Sequence, residues 1–362
     1  FLKLKMQDNN IYLYFGNNET AAGKIYHRKQ AHFFEDQFID KSATGRFFLC
    51  FCYLFRKPAY NSLVNRFFIL MILDQFFKIC ISLILFLSSR HKDKKLFVIS
   101  NDFVSIYYCL LHKKLLKNKI HLSCHDLPWT FYHNYASKRW ISFFYKYIYK
   151  KFDSFDFTSP KMEKVLQKKY SFKAPSFFIT YSGIDLLLNK ANINKYDDSK
   201  KKYTFEENTT LNLLYLGSIR FKDELQLLCT HLCNQKIKFN IDCFSSVNPS
   251  IKDINYLGFC DNIDKINFNE YDFGIVPMSF SEKDKDLIET SFPGKTSVYL
   301  SKGLPLLCIS PEYSALNNCI KNFNIGISYN DLNDENEFSF EFEPYRDFIK
   351  KNHSYSLLKS HN

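Results

Sequence analysis

The strongest constraint on the fold is an alternation of short apolar runs with longer helix-like stretches along most of the chain. Runs such as residues 96–100 (LFVIS) and 211–216 (LNLLYL) have the length and composition of buried strands. Strands that alternate with helices predict parallel sheets covered by helices. A polar segment, residues 190–210, is rich in Lys, Asn, Asp and Ser and divides the alternation into two series. The sequence therefore predicts an α/β protein with two Rossmann-like domains.

The domain limits follow from the same pattern. We expect an N-terminal domain over residues 1–185, a linker over 186–210, a C-terminal domain over 211–340 and a helical tail over 341–362. A length of 362 residues suits two domains better than one. Ligands of open α/β sheets bind beyond the carboxyl ends of the strands. If the two domains face each other, that place is the cleft between them.

The charge is divided unevenly between the halves of the chain. Residues 1–185 hold 29 Lys/Arg against 13 Asp/Glu, whereas residues 186–362 hold 20 against 24. Such asymmetry indicates that the first half faces an anionic partner, either nucleic acid or a membrane leaflet. No helix-turn-helix, RNP or zinc pattern accompanies the charge. We therefore predict an anionic membrane surface as a partner, and no nucleic acid.

Two features of the first half bear on location. The first ten residues contain lysines but no apolar segment of a signal peptide. Residues 67–87 are apolar enough to raise the question of a transmembrane span, but Asp74, Gln75 and Lys78 lie at their centre. Charges there are costly in hydrocarbon. We expect a helix that covers a sheet or lies at the membrane surface, in a cytoplasmic protein bound peripherally to the inner face of the cell membrane.

The segment that most resembles a ligand site is residues 289–305 (ETSFPGKTSVYLSKGLP). It predicts a loop that opens a helix, followed by a Gly turn into a buried strand. The start of a helix presents unpaired N–H groups and the positive end of the helix dipole, and Lys295 adds a full charge there. This combination suits a diphosphate. The alternative is an ordinary α/β turn with a solvated lysine.

This segment resembles the donor-site motif of glycosyltransferase family 4 and its relatives, in the form F-P-x-K, a Tyr-Leu pair and G-x-P. The resemblance extends from about residue 95 to residue 330 and depends on the order of several short motifs. The other similar segments are 125–126 (HD), 159–162 (SPKM), 182–185 (SGID), 214–222 (LYLGSIRFK) and 273–277 (FGIVP).

The resemblance implies a GT-B fold, in which two Rossmann-like domains with parallel sheets face each other across a cleft. It also implies transfer of a sugar from a nucleotide-sugar donor of the UDP or GDP type to a glycan or lipid-linked acceptor, in surface polysaccharide synthesis. Retention at the anomeric carbon is implied too, with no metal and no cofactor. The donor-binding residues that it implies are Gly217, Arg220, Lys222, Glu289, Phe292, Gly294 and Lys295. Its catalytic candidates are His125 and Glu289.

The chain departs from the family pattern in two ways. After Gly217, Ser218 stands where an arginine is common, which leaves Arg220 and Lys222 as the phosphate contacts. The other departure concerns a pair of glutamates. The family has two glutamates eight positions apart, and the second is thought to hold the ribose hydroxyls. Here Val298 stands at the second position and Thr290 at the first, with Glu289 adjacent. Val298 cannot accept a hydrogen bond. Val298 therefore favours one alternative interpretation, a non-catalytic partner that has lost the donor site. A GT-B sugar-nucleotide epimerase is a second alternative.

His125 and an acidic pair complete the candidates. His125 follows the predicted strand 120–124 at its carboxyl end, where a substrate-facing residue of an α/β domain belongs. The alternative for His125 is a packed or solvated side chain. Asp284 and Asp286 form a D-x-D within a charged loop that offers no further oxygen ligands, so we predict no metal site there.

Overall fold

The computed structural model describes eleven parts of the chain: residues 10–13, 68–88, 95–100, 103–128, 135–175, 177–179, 202–204, 210–260, 262–330, 339–341 and 345. The chain divides into two compact units, Phe1–Thr180 with Lys359–Asn362 and Tyr181–Leu358. Each unit contains a parallel sheet, which confirms the predicted α/β class. The predicted domain limits and cleft stay predictions, and the motif at 182–185 lies outside the described residues.

The first unit alternates strands and helices along the chain. Its described strands are all parallel and lie in the order β1-β2-β3-β4-β5. The elements are β1 (Asn10–Leu13), α1 (Phe68–Ser88), β2 (Lys95–Ile99), α2 (Phe103–Leu116), β3 (Ile120–Cys124), α3 (Tyr135–Tyr149), β4 (Ser154–Phe157), α4 (Pro160–Tyr170) and β5 (Phe177–Ile179).

Helix α4 shows how local sequence determines an element boundary. The Ser159 side chain accepts a hydrogen bond from the Met162 N–H, and Pro160 is the first helical residue. Ser and Pro at these two positions are favoured at helix starts, as the sequence predicts. The helix ends at Ser171, which takes the left-handed conformation.

The second unit contains a six-stranded parallel sheet and a separate two-stranded sheet. The six strands lie in the order β12-β11-β10-β7-β8-β9. The elements are β6 (Lys202–Thr204), β7 (Thr210–Leu216), α5 (Lys222–Asn234), β8 (Lys238–Phe244), β9 (Ile254–Gly258), β10 (Phe273–Pro277), α6 (Lys285–Thr290), α7 (Gly294–Ser301), β11 (Leu306–Ile309), α8 (Ala315–Phe323), β12 (Gly326–Tyr329) and β13 (Ser339–Glu341).

The strand order of the larger sheet reverses direction once. The chain passes from β7 outward through β8 and β9, and then returns to the other side of β7 with β10, β11 and β12. This is the 3-2-1-4-5-6 order of the Rossmann fold, and its topological switch point lies between the first and fourth strands. In the second unit those strands are β7 and β10. The switch point is where this fold class binds its ligands.

The structure differs from the prediction at both ends of the second unit. Strand β6 lies within the segment that we expect to be a linker, and it pairs antiparallel with β13. Glu341, the first residue of the predicted helical tail, is the last residue of β13. Polar composition explains both differences, because a two-stranded pair with little apolar content gives no clear alternation in the sequence.

Helix α1 contains the long apolar stretch. Within the described residues, Phe68–Leu87 is the one helical segment long and apolar enough to cross a membrane, and 28% of it is buried. Its polar central residues face inward: Asp74 pairs with Lys78 at 2.6 Å, and the Tyr107 hydroxyl of α2 donates to Gln75 at 3.0 Å. The polar groups that argue against a span are therefore bonded inside the unit.

Candidate functional site

The switch point of the second unit is built around a glycine turn after β7. Gly217 has a φ of 89°, a region that residues other than glycine rarely adopt. Its N–H donates to the Phe244 carbonyl of β8 at 2.9 Å. The Tyr215 hydroxyl donates to the Ser218 carbonyl at 2.8 Å and holds the other side of the turn. These bonds fix the backbone at the carboxyl end of β7.

Helix α7 lies in the connection from β10 to β11, and β10 is the strand next to β7. It starts at Gly294 with Pro293 as its N-cap, and no side chain caps its first N–H groups. Its first turn contains no acidic residue. The first N–H groups of a helix have no partner within the helix. The start of α7 therefore keeps its positive end for an anion.

Lys295 lies at this helix start and does not point into solvent. Its Nζ is 3.7 Å from the ring centroid of Tyr215. Burial lowers the pKa of Lys295 to about 7, and the nearby Cys243 and Cys308 offset this shift in part. No carboxylate of the described residues forms an ion pair with Lys295.

Tyr299 connects α7 to the switch point through a hydrogen bond. Its hydroxyl accepts a hydrogen bond from the Leu216 N–H of β7 at 2.7 Å. A Cβ at position 274 of β10 would lie 2.3 Å from Cγ of the Tyr299 ring, so the ring needs glycine there. Gly274 thus lets one aromatic side chain cover both strands of the switch point.

The other two predicted cations lie on the neighbouring turn and are exposed. Arg220 Cζ lies over the Phe221 ring, 5.4 Å from the ring centroid, and Lys222 is the first residue of α5. The first turn of α5 also contains Asp223 and Glu224. Glu224 accepts a hydrogen bond from the Phe280 N–H at 3.2 Å, which joins α5 to the loop after β10. With two acids in its first turn, α5 is less suited to an anion than α7.

The remaining residues of the predicted donor motif have mixed environments. Glu289 is half-buried in the last turn of α6. Phe292 is buried in the hydrophobic core, and half-buried Val298 packs against the same core. The Thr290 hydroxyl donates to the Asp286 carbonyl within α6 at 2.7 Å. In the described residues, no group of three His, Cys, Asp or Glu side chains is arranged to hold a metal ion.

His125 in the first unit is joined to a buried polar network. Its Nε2 is 3.0 Å from Ser123 Oγ, and Ser123 Oγ donates to Asp156 Oδ2 at 2.8 Å. Asp156 Oδ1 is 2.9 Å from His121 Nε2, and His121 Nδ1 is 2.8 Å from Ser154 Oγ. Strands β3 and β4 pair so that Ser123 lies opposite Asp156. Half-buried His125 is the outer member of the chain.

The network determines which nitrogen of His125 carries a proton. A serine hydroxyl has one proton, and Ser123 gives it to Asp156. The Ser123 oxygen must then accept from His125, so His125 Nε2 carries a hydrogen. In neutral His125, Nδ1 is consequently the atom with a lone pair. A histidine fixed in one tautomer is prepared for proton transfer at the other nitrogen.

The sequence did not reveal the neighbours that determine the pKa of Lys295 and the tautomer of His125. Tyr215, Cys243 and Cys308 surround the Lys295 side chain from three strands, and their contribution depends on sheet order. The signal for the network was present: β3 (IHLSC) and β4 (SFDF) carry polar residues at every second position although both strands are buried throughout. Polar groups on one face of two adjacent buried strands must bond to each other.

No protein-family model and no curated protein match the chain. Among solved structures, it resembles the alpha,alpha-trehalose 6-phosphate synthase of Burkholderia multivorans with a TM-score of 0.48 and 11% identity, over 83% of this chain and 71% of that one. TarM of S. aureus, solved with UDP, aligns with a TM-score of 0.41 and 11% identity, over 75% and 54%. A Listeria monocytogenes protein assigned as a UDP-N-acetylglucosamine 2-epimerase gives 0.40 and 11%, over 77% and 72%.

These neighbours are GT-B glycosyltransferases and an epimerase. All three TM-scores lie below 0.5 and the identities near one tenth, so the activity is argued from the residues of this chain. What the fold and the site define is a two-unit α/β protein whose second unit has Rossmann strand order and a cationic switch point. The resemblance to glycosyltransferase family 4 in particular stays a prediction.

Proposed function

We propose that the chain is a glycosyltransferase that moves a sugar from a nucleoside diphosphate donor to a glycan or lipid-linked acceptor. One observation supports this most strongly: the Lys295 ammonium lies on the Tyr215 ring at the start of α7, beside the switch point. A half-buried cation without a carboxylate partner in the described residues is costly until an anion joins it. A diphosphate supplies that anion.

The proposed reaction breaks the bond between the anomeric carbon and the diphosphate oxygen. Negative charge grows on the departing nucleoside diphosphate, so fixed positive groups that face it lower the barrier. Lys295 and the first N–H groups of α7 have this role, and Arg220 and Lys222 reach the phosphates from the turn after β7. The proposal assigns stabilisation of the leaving group to these cations rather than to a metal.

The acceptor hydroxyl forms the new bond to the anomeric carbon as the bond to the diphosphate breaks, and its proton passes to His125 Nδ1 or to an oxygen of the departing diphosphate. We assign the first unit to the acceptor, with His125 Nδ1 as the atom that contacts the acceptor or the transferred sugar. The retaining outcome and a role in surface polysaccharide synthesis belong to the proposal on the ground of the family resemblance.

One observation favours a second candidate, a non-catalytic partner that keeps the fold. Val298 replaces the carboxylate that relatives are thought to use for the ribose, and it packs against the core. A chain that lost donor binding would tolerate this residue. Nucleotide binding separates the two candidates, because the non-catalytic partner predicts none.

The test is thermal unfolding with UDP, GDP, their sugar conjugates and the matching monophosphates. A ligand at about 100 times its Kd adds about 2.7 kcal/mol of stability. We expect one nucleoside diphosphate series to raise the melting temperature and its monophosphate to do so less, since Lys295 and α7 face the diphosphate. No shift with any nucleoside diphosphate would contradict the proposal. For the protein that binds, release of free nucleoside diphosphate on addition of acceptor glycans then measures transfer.

A further inference from the structure

Helix α1 buries Met71, Leu85 and Phe86, but it also exposes a large apolar side, whereas the outer face of a usual surface helix is polar. Its inward positions include Asp74, which is 2% exposed, and Ser82, whose hydroxyl donates to the Val104 carbonyl of α2 at 2.8 Å. Its outward positions are large and apolar: Ile69 is 73% exposed, and Phe76 and Leu87 are each 60% exposed. The other exposed apolar side chains of α1 are Phe68, Leu70, Ile72, Leu73, Phe77, Ile79, Leu83 and Ile84. Contiguous apolar surface of this kind marks an interaction site.

Helix α3, which contacts α1, exposes a different composition. Tyr135, Phe143 and Tyr147 are exposed aromatics. The exposed basic residues of α3 and the turn after it are Lys138, Arg139, Lys146, Lys150 and Lys151. The helix contains no acidic residue. Basic side chains among exposed aromatic ones are typical of helices that lie in the headgroup region of a membrane.

We propose that the outward surfaces of α1 and α3, here named the α1–α3 face, bind an anionic lipid bilayer. The apolar residues of α1 enter the acyl boundary, while the cations of α3 contact the headgroups. Charge decides between a bilayer and an apolar protein partner: α3 and its following turn are purely basic, and residues 1–185 hold 29 Lys/Arg against 13 Asp/Glu. Anionic leaflets attract such clusters.

The packing of α1 also determines how it meets the bilayer. One side of the helix is bonded to α2 along its length, through Gln75 to Tyr107 and through Ser82 to Val104. A helix bonded sideways to a folded α/β unit lies along the surface and does not cross the membrane. This inference stands on the first unit alone and does not depend on the proposed donor site.

The first experiment is co-sedimentation with vesicles of phosphatidylcholine alone and with phosphatidylglycerol added. We expect binding only with the anionic lipid, falling as salt rises. The triple variant Lys138→Gln, Arg139→Gln, Lys146→Gln should weaken partitioning at low salt on the order of a hundredfold, from about tenfold per residue or less. The triple variant Ile69→Gln, Phe76→Gln, Ile84→Gln should weaken it about tenfold or more, at low and high salt alike.

Matched control variants come from the second unit. The triple Lys236→Gln, Lys238→Gln, Lys252→Gln makes the same charge change, and Val247→Gln, Leu257→Gln, Phe259→Gln makes the same apolar change, all at exposed positions. Both should bind vesicles like the wild type. Equal loss in the controls and the α1–α3 variants, or absence of binding to anionic vesicles, would overturn the proposal.

A second measurement identifies the occupant directly. Phe76→Cys is treated with a maleimide, and labelling at this position is read by mass spectrometry. We expect fast labelling of the free protein at every concentration, and protection when anionic vesicles are added. Protection that disappears on dilution without lipid would mean that a second copy covers the face. Protection at all dilutions would mean that a segment of the same chain covers it. Either result overturns the bilayer assignment, whereas nucleotide binding by the second unit would remain intact.

Discussion

Two side chains carry most of the functional argument, and both depend on neighbours from other strands. The residue type and position of Lys295 could be predicted from its motif, but its low pKa could not. That pKa results from burial against Tyr215 near Cys243 and Cys308. Tyr215 and Cys243 lie 80 and 52 residues before Lys295, and Cys308 lies 13 residues after it. His125 was similarly identified from its place after β3, whereas its tautomer depends on Ser123 and Asp156.

The hydrogen bonds from His125 through Ser123 to Asp156 lead to a prediction about a single residue. In ¹⁵N side-chain NMR spectra, we expect neutral His125 to be protonated at Nε2. Ser123→Ala removes the acceptor of that proton, so the spectrum should move toward a mixture of tautomers. Sugar transfer should slow by about tenfold to a hundredfold, which is part of the usual contribution of a general acid or base. Nucleotide affinity should not change, because the donor residues lie in the other unit.

Two results would contradict the assignment of His125. One is a wild-type spectrum with the proton on Nδ1. The other is a Ser123→Ala variant that keeps both its tautomer and its transfer rate. Loss of nucleotide affinity in the same variant would instead indicate general damage to the fold.

At the scale of elements, apolar strands were predictable and polar ones were not. The strands β2 and β7 are apolar runs whose composition alone identifies them, and their observed limits lie within one residue of the expected ones. Strands β6 and β13 were not foreseen, because their pairing depends on residues 135 or more positions apart. In α1, Asp74 pairs with Lys78 on the inward side of the helix. These polar residues therefore do not mark the side of the helix that faces solvent.

Close packing of α7 on β10 makes a prediction for stability. Gly274→Ala places a Cβ inside the Tyr299 ring, so we expect a loss of about 1–3 kcal/mol in the free energy of unfolding. In a Tyr299→Ala background the ring is gone, and the same substitution should cost less than about 1 kcal/mol. The four proteins form a double-mutant cycle, measured by urea unfolding. Equal effects of Gly274→Ala in both backgrounds would mean that the Tyr299 ring does not require the glycine.

At the scale of the whole molecule, the repeated strand–helix alternation predicted two parallel sheets, and the described part of the chain contains two. The sequence predicted a Rossmann-like domain, and the strand order 3-2-1-4-5-6 of the second unit is the usual order of that fold. The order itself was not predicted from the sequence. In the first unit the described strands instead follow chain order. Periodicity alone shows which segments are strands, whereas their order in space depends on crossovers that leave little trace in the sequence.

The central claim is that a nucleoside diphosphate binds against Lys295 at the switch point of the second unit. Because burial lowers the pKa of Lys295 to about 7, we expect this side chain to be mostly neutral at pH 8 in the free protein. A bound diphosphate favours the charged form and raises that pKa. Binding at pH 8 should therefore take up close to one proton, and affinity should decline as the pH rises above 7.

Calorimetric titration of UDP and GDP at pH 8, in two buffers of different ionisation enthalpy, measures affinity and proton uptake together. For Lys295→Met we expect affinity to fall by about 2–4 kcal/mol, as for loss of one preorganised donor, and proton uptake to disappear. Lys302→Met, at the residue that follows α7, removes the pair with Asp264 and the contact with the Phe268 ring and should change affinity by less than about 1 kcal/mol. Equal behaviour of the two variants, or wild-type binding without proton uptake, would contradict the account.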